Sequence, residues 1–318
     1  MRQGPQVNHL LLGGNGFIGR ALASRLDSSG QKVVSADIDV WKRGTPADTQ
    51  NVRHLDLSDR HWAENFVSDL DTYDEVKIWH LAANSDISRA ATDYTLDYKL
   101  TLGSTLDVIR LATMLGKRCK SIEFTSSSAV YGNRFARKLF QEEDKLVPIS
   151  NYGAMKEASE KMLEIYSSRA EVPLHVYRLA NIVGKSMTHG VVYDLVNKLK
   201  INPKVLHVLG NGSQLKTYLD VEDLISVMLL LSIDTNNLVV NVGPDDAGVS
   251  VQEIAEMILE KSGLKSKIVF EEQAHGWPGD VVNSVMSVSK LKNLTPFTPG
   301  GSKKALEDAI NSRIAEVF

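Results

Sequence analysis

With one cysteine in 318 residues, Cys119, the chain has no internal disulfide framework and suits a reducing cytoplasm. Long apolar runs are missing too. The longest, around Val227 to Ile233, falls far short of the ~20 residues a membrane helix needs. An excess of positive charge is absent: 36 Lys and Arg stand against 39 Asp and Glu, for a net −3. That balance gives no basic footprint for nucleic acid or an anionic membrane. The first ten residues are polar and carry no basic-then-apolar signal pattern. The eight histidines show no close metal-ligand spacing, so no metal is expected. A soluble cytoplasmic protein is the expectation, and 43% hydrophobic residues are enough for a full core.

What is present is an alternation of short apolar runs and helical patterns. Strands are predicted at 7–12, 32–37, 52–56, 75–81, 121–126 and 174–179. Helices are predicted at 16–26, 59–70, 94–115 and 152–169. Such alternation means a parallel sheet covered on both faces, an α/β doubly wound fold. After about Ala180 the rhythm loosens. Helices at 191–199 and 221–233, short strands at 205–209 and 267–270, and one more core strand at 238–242 follow. Ser250 with Glu253 reads as a capping box opening a helix to about Ser262, and a last helix begins near Ser302. The expected organisation is a domain over 1–180, with 221–245 returning to it, and a smaller C-terminal lobe over 181–318.

Gly13, Gly16 and Gly19 stand between the first strand and the first helix in the segment Gly13-Gly14-Asn15-Gly16-Phe17-Ile18-Gly19. The spacing serves a tight turn, a backbone approach too close for side chains, and a helix N-terminus facing a pyrophosphate. Asp37 ends the second strand, 18 residues beyond Gly19, where an acid binds ribose hydroxyls and repels a 2′-phosphate. The cofactor is therefore expected to be NAD and not NADP. Lys42 and Arg43 read the other way unless they belong to a solvated loop. Asp56 and Leu57 either contact the adenine or serve a turn. Leu81, Ala82 and Ala83, after His80, supply the small wall a cofactor would touch.

Tyr152 and Lys156 lie four apart on one helical face, in its first turn. A phenol with a reference pKa near ~10 needs help to act as a base at neutral pH, and a lysine charge and a helix N-terminus both favour the phenolate.

Taken together, Gly13 to Gly19, His80 to Ala83, Thr125 to Gly132 (TSSSAVYG), Tyr152 to Lys156, Arg178 to Asn181, Gly210 to Asp223 and Gly276 to Asp280 resemble the extended short-chain dehydrogenase/reductase family. The resemblance is to its sugar-nucleotide epimerase and dehydratase branch, and within it to the UDP-glucose 4-epimerase-like members. It implies a Rossmann-type NAD domain, a smaller substrate-binding lobe and a homodimer. It also implies that Ser127, four residues before Tyr131, joins Tyr152 and Lys156 in catalysis, with Ser126 and Ser128 as alternatives. Asn181 and Lys216 are implied as contacts of the nucleotide diphosphate or sugar, Asp280 of the nucleotide ribose, and His189 of the substrate. Trp277 departs from the arginine, and Thr101 from the asparagine, often found there. The dehydratases of this branch carry an Asp-Glu pair where this chain has Ser128 and Ala129, which argues against loss of water. The function expected is UDP-hexose 4-epimerisation through a transient 4-keto sugar. Epimerisation at another carbon, reduction of a nucleotide-ketosugar, and noncatalytic nucleotide sensing are the alternatives. Leu100, Leu106 and the Met155, Ala158, Met162, Ile165 stripe serve either the core or the dimer face.

Overall fold

The computed structural model describes residues 7–38, 52–56, 62–67, 70, 73–84, 93–133, 139–277 and 279–318. A seven-stranded sheet forms from β1 (Val7–Leu12), β2 (Lys32–Asp37), β3 (Val52–His54), β4 (Glu75–His80), β5 (Cys119–Ser127), β6 (Leu174–Leu179) and β11 (Leu238–Val242), in the order β11-β6-β5-β4-β1-β2-β3. The β1–β2, β1–β4, β2–β3 and β4–β5 pairs all run parallel. Strand order reverses between β1 and β4, and in an open α/β sheet the ligand crevice lies beyond the strand ends at such a point. The glycine segment leaves β1 there.

The apolar runs form strands because both faces are covered. Leu10, Leu12, Ile78, Ile122, Phe124 and Val176 belong to one buried cluster. Trp62 and Phe66 of α2 (Trp62–Val67), Val108 and Leu111 of α4 (Ser104–Leu115) and Leu163 of α5 (Asn151–Ala170) complete it. Burying each such side chain contributes about 1.5–3 kcal/mol.

The single helix expected over 94–115 is instead three pieces. These are α3 (Tyr94–Asp97), a π-helical stretch (Tyr98–Gly103) and α4. Hydroxyls compete with the backbone ladder here. Ser104 Oγ donates to the Leu100 and Thr101 carbonyls at 2.9 and 3.0 Å, and Thr105 Oγ1 donates to Thr101 O at 2.9 Å. Thr101 Oγ1 in turn accepts the Asn84 amide at 3.2 Å, which holds the widened turn against the end of β4. The helix expected over 59–70 is seen as Trp62–Val67, and 59–61 and 68–69 lie outside the described residues.

The chain divides into two compact units. One holds Met1–Ser126, Met155–Tyr177 and Ser232–Val239; the other holds Ser127–Ala154, Arg178–Leu231 and Val240–Phe318. In the second, β7 (Asn181–Val183) pairs in parallel with β10 (Tyr218–Asp220), β8 (Val205–Val208) in parallel with β13 (Lys267–Phe270), and β9 (Leu215–Lys216) antiparallel with β12 (Val249–Ser250). The two- and three-residue strands among these, β7, β9, β10 and β12, are too short to carry an alternation that a sequence could reveal, whereas the four-residue β8 and β13 lie where the apolar runs put them. The capping box at Ser250 and Glu253 is present and opens α8 (Val251–Ser262), which Gly263 ends in the left-handed conformation. Ser302, at the start of α10 (Ser302–Val317), accepts the Tyr218 amide at 2.9 Å and donates to Asp246 at 2.9 Å, bracing β10 from behind.

Candidate active site

In the first unit, Gly13 adopts φ +87°, and a Cβ there would meet the Ala82 backbone at 2.7 Å. The loop is thus pressed against Leu81 and Ala82, the wall expected at the end of β4. Gly19 plays the second close-approach role: its Cβ would meet Gly14 Cα at 2.7 Å, so α1 (Phe17–Ser28) starts flush against the loop. Gly16 caps α1 without a side chain, leaving the first turn, with Phe17 buried and Ile18 half-buried, facing the loop. A backbone cradle at a helix N-terminus suits a pyrophosphate, and a side chain at Gly13 or Gly19 would push the loop off Ala82 or off the start of α1. Asp37, at the end of β2, accepts the Asn15 amide at 2.9 Å. The residues fit NAD. Ala83 is half-buried beyond Ala82, and Asp56 is half-buried after β3. Leu57, Lys42 and Arg43 lie outside the described residues.

The helix α5 starts where Ser150 Oγ accepts the Gly153 amide at 3.1 Å, an N-cap that satisfies one free donor of the first turn. Tyr152 sits half-buried in that turn. Gly153 makes the turn's packing possible, because a Cβ would meet Ala129 O at 2.6 Å. Ala129 lies two residues after Ser127 and donates its amide to Ser127 Oγ at 3.2 Å. The second unit therefore holds the Tyr152 turn against the Ser127 turn. The three serines differ in surroundings: Ser127 is half-buried, Ser128 is buried, and Ser126 is buried and donates to Glu160 Oε1.

Lys156, one turn after Tyr152, is only 2% exposed. Its ammonium donates to the Thr125 carbonyl at 2.6 Å and lies 4.7 Å from the Phe124 ring centroid. Burial pulls its pKa down to about 7, and the Glu160 charge opposes that fall. His80, fully buried, shares a hydrogen bond of 2.8 Å with Thr105 Oγ1, which also bonds Ser159 Oγ at 3.0 Å. Burial, and then the Lys156 charge, lower His80 to about 3, so it is neutral.

The second unit gathers three of the substrate candidates. Asn181 donates its backbone and side-chain N–H groups to Thr217 O at 3.1 and 3.2 Å. The neighbouring Lys216 pairs with Asp280 at 2.7 Å, and its ammonium lies 5.3 Å from the Trp277 ring centroid. Asp280 also accepts the Gly276 amide at 3.0 Å. Trp277, in the place where an arginine is often found, thus touches the same cation. His189 is exposed on the loop before α6 (Val191–Ile201), 3.1 Å from Thr188 Oγ1. The sequence reading missed Glu160, although its position four residues beyond Lys156 on one helical face was visible.

No helix among the described residues is long and apolar enough to cross a membrane. The family model described as "NAD dependent epimerase/dehydratase family" matches residues 9–243. A protein designated an uncharacterised UDP-glucose epimerase, YtcB of Bacillus subtilis, is 26% identical over 195 residues, 60% of this chain and 58% of that relative. The chain thus matches less than two thirds of that relative's length. A UDP-N-acetyl-alpha-D-glucosaminuronate decarboxylase of Bacillus cytotoxicus is 25% identical over 95% of this chain and 96% of its own length. A crystal structure of a UDP-galactose 4-epimerase superposes with a TM-score of 0.85 at 30% identity, covering 98% of this chain and 100% of that one.

Proposed function

The chain belongs to the NAD-dependent epimerase/dehydratase family, and we propose that it inverts C4 of a UDP-hexose through a transient 4-keto sugar. The observation that carries this reading is the Gly153–Ala129 approach, which sets the Tyr152 turn beside the Ser127 turn, with buried Lys156 one turn on. Bound in the glycine cradle, NAD supplies the hydride acceptor and donor. Tyr152 takes the O4 proton as that hydroxyl is oxidised and returns it when the ketone is reduced. Ser127 bridges O4 and the phenol, holding the proton's path. Lys156 favours the phenolate through its positive charge, adding to the helix N-terminus. Lys216 neutralises diphosphate charge, Asn181 donates to the diphosphate or sugar, and Asp280 accepts from the nucleotide ribose.

Loss of water would require an acid for the departing hydroxyl and a base for the C5 proton. Ser128 and Ala129 supply neither, which supports an isomeric product. The relatives include a decarboxylase, so the assay must separate the two outcomes. A panel of UDP-sugars, including uronic acids, is incubated with the enzyme and NAD and followed by NMR and mass spectrometry. A product of unchanged mass with inverted C4, and no gain at 340 nm, is expected. A product lighter by water or carbon dioxide, or steady NADH accumulation, overturns the reading.

A further inference from the structure

The helix that carries Tyr152 and Lys156 buries a third ionisable group. Glu160, one turn beyond Lys156, is 2% exposed. A carboxylate at that depth is costly unless something compensates it. Ser126, the residue before Ser127 on β5, donates its hydroxyl to Glu160 Oε1 and so orients the carboxylate. Lys156 is equally deep and also tied to β5, through the Thr125 carbonyl.

The groups named around Lys156 come from four elements. Its own helix offers Tyr152 one turn before and Glu160 one turn after, with exposed Lys161 beside Glu160. β4 offers His80, which is neutral, and β5 offers the Phe124 ring and the Thr125 carbonyl, while its Ser126 hydroxyl is turned to Glu160. Thr105 of α4 and Ser159 of α5, which bond each other, are uncharged. Burial alone drives Lys156 toward the neutral amine, and the Glu160 charge is what opposes it. A neutral amine at this position could not favour the Tyr152 phenolate.

We propose that Glu160, oriented by Ser126, is a positioning residue that keeps Lys156 in the ammonium form on which the Tyr152 chemistry depends. The proposal rests on the Tyr152–Lys156 reading above, and its first test does not. In the ligand-free full-length protein, the Lys156 Nζ titration is followed by NMR in wild type and Glu160→Gln. A fall in midpoint of at least about one pH unit, a tenfold loss of ammonium at higher pH, is expected. An unchanged midpoint overturns the proposal even if the epimerase reading stands. If no UDP-sugar turns over in wild type, that reading fails while this measurement still decides.

With an active enzyme, the alkaline limb of kcat in Glu160→Gln should move down in pH by the same amount, and turnover should recover near pH 6. A loss equal at every pH would mean a structural role and overturn the proposal. Should that variant fail to fold, Ser126→Ala removes the hydroxyl that orients the Glu160 carboxylate. The Lys156 midpoint should then fall in the same direction. An unchanged midpoint would overturn the proposal.

Discussion

Asp37 accepts a hydrogen bond from the Asn15 amide at 2.9 Å, so the acid that ends β2 is tied to the glycine loop that follows β1. The tie holds a negative charge beside the cradle, where an added 2′-phosphate would be repelled. Binding of NAD at least tenfold tighter than NADP, about 1.4 kcal/mol, is the expected outcome by calorimetry. In Asp37→Ser the gap should shrink. Equal affinities in the wild type would remove the assignment of Asp37.

Tyr152→Phe removes one hydroxyl from a half-buried site and leaves the Ser150 cap and the Gly153 packing untouched. The variant should keep its circular dichroism spectrum and NAD affinity while turnover drops at least about a hundredfold, the range of general acid–base catalysis. Near-normal turnover would mean that another group takes the O4 proton.

Acid should destabilise the fold through two histidines held neutral by burial. His80 is lowered to about 3 by burial and then by Lys156, and His9 to about 4 by burial and then by Lys77. The unfolded chain binds these protons near pH 6.5 and the folded chain does not, so their contribution is complete above that pH. It is lost as pH falls from about 6.5 toward the folded values, at up to about 1.4 kcal/mol per pH unit for each histidine. Urea unfolding across this range should show the loss, and His9→Asn should reduce its slope. An unchanged slope would mean that His9 is charged in the fold.

Leu106 and Met114 on α4 and Met162 and Ile165 on α5 are large apolar side chains left between 39% and 43% exposed. Exposed large apolar groups on two helices suit burial against a second copy. Light scattering at micromolar protein should give the mass of a homodimer, and Met162→Lys with Ile165→Lys should shift it toward the monomer. A monomeric wild type would leave these side chains as ordinary surface.

Several elements were legible before any coordinates because their signals are local. Val7–Leu12, Lys32–Asp37, Leu174–Leu179, Leu238–Val242 and Lys267–Phe270 lie where the apolar runs put them. The Ser250–Glu253 cap is a contact between residues three apart. The break in the helix after Asp97 was not legible, since it depends on Thr101 bonding Asn84 from another part of the chain. The short strands β7, β9, β10 and β12 likewise exist through their pairing partners and not through any pattern of their own.

The spacing of glycines, the acid at the end of β2 and the Tyr152–Lys156 interval were set by the sequence alone, because each is a relation along one strand, turn or helix. Only the tertiary structure decided how deep those groups lie. The sequence places Lys156 one turn from Tyr152, but the closing of β4 and β5 around it strips its water and brings its pKa down to about 7. The same closure sets Ser126 against Glu160, and separates that serine from Ser127, which remains half-buried. Burial and the charges it brings together are sums over distant segments, and no stretch of sequence contains them.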